Sequence, residues 1–205
     1  MEKRKIIILT ALEFEARAVR SAVEQVEVCR VGLRATELPA DLRRAAWVVV
    51  AGLAGALDPS LRVGDLVLDS PVAMACDGFV KPGLVYTTER LVTTAAEKAE
   101  LFRQTGALAV DMEQAVVRRA LEGTGVPVIG LRAISDPADV ALDPAILGFV
   151  DERGRTRPLA VAAAVLKRPS LVGPLKRLGA ASRIASKMLG EGVRWLVGEL
   201  MEAKS

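Results

Sequence analysis

The sequence predicts an α/β fold: a single domain whose twisted, mixed, largely parallel sheet is flanked by helices. Three observations lead there. Short aliphatic runs of strand length, such as Ile6–Thr10 and Trp47–Ala51, alternate with longer segments of helical period. Hydrophobic residues make up 51% of the chain and charged residues 26%, a balance that can bury a core. Neither an internal repeat nor a low-complexity linker interrupts the 205 residues, so residues 1–205 read as one domain, with a helical C-terminal extension from about 157.

The elements follow in order. Ile6–Thr10 is an unbroken apolar run and predicts a buried strand; a helix follows from Glu13 to about Gln25. Glu27–Val31 is a weaker strand, Leu38–Ala46 a short helix, and Trp47–Ala51 another buried strand. The small residues of Gly52–Pro59 predict a loop, and Asp65–Val72 a partly alternating strand. Beyond Pro82 and Gly83 come a helix over Ala95–Gln104, a strand over Ala107–Val110 and a helix over Glu113–Glu122, which Gly123 and Gly125 end. Pro127 opens the strand Val128–Ala133. Pro137 and Pro144 then mark a loop, and helix dominates the rest.

Composition excludes several chemistries. With no histidine, Ser-His-Asp and Cys-His catalysis and His-ligated metals are ruled out. Cys29 and Cys76 are too few for a zinc site and are expected as buried thiols in a reducing cytoplasm. No metal or organic cofactor is expected. Aromatics at 3% give no stacking platform for single-stranded nucleic acid, and a net charge of +3 is mild, so nucleic acid is not an expected partner. Lys3, Arg4 and Lys5 precede only a short apolar run, unlike a secretory signal, and no stretch approaches the ~18 apolar residues of a membrane span. A cytoplasmic protein is expected.

Ligands in open α/β sheets bind at the carboxyl ends of strands. Three loops there carry the candidates: ALEFE, AGLAGAL and AISDPAD. Asp136 either caps a helix or acts as a general acid. Glu113, at a helix start, either answers the macrodipole or accepts from two ribose hydroxyls beside Met112. Glu13 and Glu15 are either exposed helix-start acids or place one carboxylate in the cleft to activate water. The glycines of GLAGAL permit tight packing or close approach of backbone to a ligand. They match neither a dinucleotide fingerprint nor a P-loop.

Set side by side, ALEFE, GLAGALDPSLRVGDLVLDS, GALAVDMEQA and PVIGLRAISDPAD occur in the order that resembles the nucleoside phosphorylase and nucleosidase superfamily, on the branch of 5′-methylthioadenosine/S-adenosylhomocysteine nucleosidase. The resemblance spans roughly residues 5 to 139. TTERLVTTAAEKAELFRQTGALAVDME and the tail beyond Asp151 are similar to a hopanoid-associated, phosphorylase-like subgroup. The resemblance implies a phosphorylase/hydrolase-like fold, a purine nucleoside substrate and a homodimer. It implies that Asp136 protonates the base at N7, that Glu113 and Met112 hold the ribose, and that Glu15 activates water. Gly55 would approach the sugar and nucleophile region through its backbone, Val92 would meet the base through its main chain, Leu91 would stand where an aromatic commonly stacks, and Arg132 would support the carboxylates. Burial and mutual repulsion among the three acids would keep Asp136 protonated.

Two departures bear on activity. Leu53 replaces the family's usual serine, and Leu91 makes the base wall aliphatic; together they keep open an inactive nucleoside-binding or scaffold protein. The strand Trp47–Ala51 lacks the arginine that holds phosphate in true phosphorylases, and a buried dianion without a cation is costly. Water is therefore expected over phosphate, with Arg34 or a partner subunit's arginine as the route to phosphorolysis. Leu171–Met201 interleaves Lys176, Arg177, Arg183, Lys187 and Arg194 with apolar residues and Trp195. It reads as a packing helix pair or dimer surface, or as a basic helix making peripheral membrane contact and helping accept a lipid-like 5′ substituent.

Overall fold

Strand β1 (Ile6–Thr10) is buried at every position, because both faces of the sheet it belongs to are covered. The computed structural model describes residues 5–24, 26–76 and 78–202. In it β1 lies parallel to β2 (Glu27–Arg30) on one side and to β3 (Trp47–Ala56) on the other. The opposite edge of β3 pairs in parallel with β8 (Val128–Asp136), which runs antiparallel to β4 (Leu66–Asp69). β5 (Lys81–Pro82) closes that edge, while β7 (Ala109–Asp111) joins the end of β3 antiparallel and β6 (Val85–Thr87) in parallel. The sheet is mixed and mostly parallel, as the alternation of strand and helix predicts.

Period-two alternation sorts its two faces. Ile6, Ile8, Val49 and Leu131 pack on Leu189, Val193 and Leu196 of α5 (Val172–Glu202). Ile7, Leu9, Val48 and Val50 pack the other way, against Val117 of α3 (Gln114–Ala120) and Leu121. Cys76 lies against the first cluster and Cys29 against the second, both half-buried rather than buried as expected. α1 (Glu13–Ala22) ends before Gln25, the expected terminus, which lies outside the described residues.

Several expectations are corrected. Residues 52–56 continue β3 instead of forming a loop. Both their edges have partners: Gly52 pairs Arg132, Leu53 pairs Ala133 and Gly55 pairs both Asp136 and Val110. Small side chains let strands crowd here from both sides. β8 runs on to Asp136 rather than ending at Ala133. Of the helix expected over Leu38–Ala46 only a short 3-10 turn, Leu42–Arg44, forms beyond Pro39, and another, Leu33–Ala35, precedes that range. α3 begins at Gln114, which leaves Glu113 at the strand–helix junction.

Past a 3-10 segment, Pro144–Phe149, the tail is α4 (Pro158–Lys167) and the 31-residue α5, roughly 46 Å long at helical rise. The later half of α5 is buried against the sheet and α1, so the packing reading of the tail holds there. α4 buries none of its residues. No described helix is long and apolar enough to cross a membrane.

Candidate active site

Glu15 shows why one carboxylate can be both a cap and a cleft residue. Its Oε2 accepts from the Leu12 N–H at 2.8 Å and the Ala11 N–H at 3.1 Å, tying down the start of α1. Its Oε1 crosses to β3 and accepts from the Leu53 N–H at 2.8 Å. A carboxylate offers about four lone-pair sites, so Oε1 keeps acceptor capacity for a ligand. Burial pushes the Glu15 pKa up, opposed by the Leu53 and Leu12 N–H groups and by Arg132. Glu13, two residues earlier, is half-exposed and pairs with Arg30. At Gly52 a Cβ would come within 2.7 Å of Arg132 Nη1 and 3.0 Å of Glu15 Oε1, so only glycine leaves room for this approach.

Glu113 does not cap α3. Its Oε1 accepts from the Arg34 N–H at 3.0 Å. That donor sits in a turn holding Arg34 at φ 57° and Ala35 at φ 51°, left-handed conformations that cost a non-glycine residue about 1–2 kcal/mol each. Burial pushes Glu113 up to about 7; Arg132 opposes the shift, while Asp111 and Glu15 add to it. The capping falls instead to Asp111, which accepts from the Gln114 N–H at 2.9 Å and the Thr87 hydroxyl at 2.5 Å. Asp111 also forms the ion pair with Arg132, a guanidinium 1% exposed. Arg132 thus supports three acids, and its Nε–H is buried without a partner, leaving one donor for a ligand.

Asp136 sits at the far end of β8, where the register to β3 jumps from Ile134 opposite Ala54 to Asp136 opposite Gly55. Ser135 is left out of the ladder, and such a bulge re-aims the next side chain. Asp136 is buried, but not against the other acids. Its Oδ2 accepts from Lys98 Nζ at 2.6 Å and its Oδ1 from the Ser135 hydroxyl at 2.8 Å. The expected mutual repulsion around Asp136 is therefore corrected: its nearest charge is an ammonium. A helix cap is also excluded, since no helix starts there.

The remaining candidates divide among several surroundings. A Cβ on Gly55 would lie 2.9 Å from Asp136 Oδ2, so this glycine adjoins Asp136 rather than Glu15. The Val92 side chain packs with Leu57, Ala107 and Val110, and the neighbouring Thr93 carbonyl accepts from the Leu142 N–H at 2.8 Å. Leu91 and Met112 are half-buried. Arg34 Nε donates to the Glu89 carbonyl at 2.8 Å, bridging the Glu113 turn to the segment before Leu91.

Beside Asp136 a cavity of about 310 Å³ opens among Pro137, Leu142, Phe149, Leu171 and Leu175, within the size range of small-molecule sites. A larger concavity of about 750 Å³ lies elsewhere, among Glu13, Arg17, Arg20, Arg30 and Arg155. It is polar and holds none of the three acids, whereas the smaller, apolar one is lined by Asp136, though not by Glu15 or Glu113. Sequence reasoning missed Lys98, Asp111 as an ion-pair partner, and the Arg34 amide. Only Lys98 had a signal: it shares a helix stripe with Leu101 and Phe102 at i+3 and i+4.

A phosphorylase superfamily model matches residues 77–167. The chain is 30% identical over 153 residues to futalosine hydrolase of Streptomyces coelicolor, covering 55% of this chain and 65% of that protein, a little less than two thirds of its length. Futalosine hydrolase of Helicobacter pylori superposes with a TM-score of 0.65 at 17% identity, over 96% of this chain and 98% of that one. The 5′-methylthioadenosine/S-adenosylhomocysteine nucleosidase of the same bacterium, solved with butyl-thio-DADMe-Immucillin-A, gives 0.65 at 16% identity over 97% and 100%. At such identities the structural likeness establishes the fold.

Proposed function

We propose that this chain, which carries the phosphorylase-superfamily fold, hydrolyses the N-glycosidic bond of a purine nucleoside. One observation carries the reading: three buried acids follow strand ends, Glu15 after β1 with its carboxylate on the Leu53 N–H of β3, Glu113 after β7, and Asp136 at the end of β8 opposite Gly55. The relative and the structural neighbour named as hydrolase and nucleosidase support the same bond.

The chemistry follows from the groups present. A purine leaves poorly as an anion, so Asp136 gives N7 a proton as the C1′–N9 bond breaks and its electron pair moves into the ring. The sugar becomes oxocarbenium-like, and the carboxylates of Glu113 and Glu15 stabilise the positive charge. Water attacks C1′ and passes its proton to Glu15, whose raised pKa makes it a stronger base than an ordinary glutamate. Glu113 and Met112 hold the ribose, and Leu91 and Val92 wall the base.

Water is favoured over phosphate because β3 carries no cation and Arg132 is already committed to Asp111. An adenine nucleoside with an apolar 5′ substituent fits the apolar cavity. Exposed Leu159 and Leu166 on α4, with Lys167, Lys176, Arg177 and Arg183 exposed and no acid between 153 and 187, support peripheral contact with an anionic membrane. Incubation of the protein with adenosine derivatives, with and without phosphate, tests the function. Free base without phosphate is expected. Base only with phosphate shifts the reading to phosphorolysis, and none from any derivative overturns both.

A further inference from the structure

Lys98, in the first turns of α2 (Ala95–Thr105), is 0% exposed, although lysine is almost never fully buried unless paired. Its Nζ donates to Asp136 Oδ2 at 2.6 Å, to the Pro137 carbonyl at 2.8 Å and to the Val140 carbonyl at 3.0 Å. All three N–H groups are thereby used, and the sole carboxylate among these acceptors is the one assigned to protonate the base. The acids beside Lys98 on its own helix are engaged elsewhere, Glu97 with Arg90 and Glu100 with Arg103; Asp139 on the facing loop is exposed. Burying an ammonium carries several kcal/mol of desolvation. Apolar side chains would tie α2 to the loop at lower cost, so the charge itself calls for a role.

We propose that Lys98 is the site's proton reserve, a positioning residue that acts through Asp136. This rests on the proposed glycosidic cleavage. As the C1′–N9 electron pair enters the purine, N7 becomes strongly basic. One Nζ proton passes to Asp136 Oδ2, and the Asp136 carboxyl delivers a proton to N7. The neutral base leaves, the carboxylate is restored, and Lys98 is left as an amine. The geometry suits the state between the two transfers, while Asp136 carries the proton: the amine keeps two N–H donors for the Pro137 and Val140 carbonyls, and its lone pair accepts from the Asp136 carboxyl. The proton that Glu15 takes from water returns through solvent to Lys98, which closes the cycle.

The test compares an ordinary purine nucleoside with its N7-methylated counterpart, a fixed cation whose base departs without a proton. Lys98→Met is expected to lower kcat on the ordinary substrate by roughly 100-fold or more while leaving the methylated one within about threefold. Lys98→Gln, which keeps donors for the two carbonyls, serves if the methionine variant does not fold. Equal losses on both substrates, or none on either, overturn the reserve and leave the cleavage reaction intact. A wild-type protein that cleaves neither substrate overturns the proposed function and this role with it.

Discussion

The two ends of the proposed site, one for the sugar and one for the base, use the same side chain under opposite terms. At the sugar end three acids, Glu15, Glu113 and Asp111, share the single guanidinium of Arg132, and burial drives both glutamates upward. At the base end one acid, Asp136, has a whole ammonium to itself. Under the proposed function, the ratio of counter-ion to acid sets each acid's job. Surplus negative charge suits a developing sugar cation, while a matched, buried donor pair suits proton delivery to a leaving base.

The contrast can be broken or sharpened in four ways. Asp136→Asn is expected to reduce turnover roughly 10²–10⁴-fold while the protein stays folded; near wild-type release of base would remove the acid from the base end. Arg132→Met strands the buried carboxylates of the sugar end. Urea unfolding should show a loss of about 3–5 kcal/mol, and a loss below about 1 kcal/mol would mean the acids do not depend on their shared cation.

Glu113 supplies a pH signature. The folded chain holds that proton up to about 7, whereas an unfolded glutamate releases it near 4.5. The native state therefore binds more protons between these values, and stability falls as pH rises through the window, by on the order of 3 kcal/mol. Glu113→Gln has no proton to lose. It should match the wild type near pH 5 and exceed it near pH 8, and parallel curves would show that Glu113 is not strained by its neighbours. The smallest effect is expected outside the cleft. Leu159→Ser with Leu166→Ser should leave stability within about 0.5 kcal/mol, because α4 buries nothing, yet weaken sedimentation with anionic vesicles; unchanged sedimentation would remove the membrane contact.

Much of the frame was legible because buried strands leave a local signature. Ile6–Thr10 and Val128–Ala133 are too apolar and too short to be anything else in an alternating chain. Gly52–Ala56 misled for a physical reason: small residues look like a turn when their strand partners lie some 55 to 80 positions away, at Val110 and Asp136. In the site, the family resemblance singled out the acids and Arg132, whereas Lys98 and the pairing of Arg132 with Asp111 went unread. The stripe that Lys98 shares with Leu101 and Phe102 was masked by the acids Glu97 and Glu100 around it, and Asp111 looks like an ordinary helix-start acid.

The sequence by itself determined the α/β class and which acids follow strand ends, because strand burial and residue type are local properties, and its family resemblance nominated Asp136, Glu113 and Glu15 among them. Tertiary structure decided which acid faces which cation. Lys98 meets Asp136 only when α2 docks on the end of β8, and Arg132 meets Asp111 only when β7 closes onto β3. Counter-ion pairing is a long-range property of packing, and under the proposed function it is what would divide three similar carboxyl groups into an acid, a sugar ligand and a base.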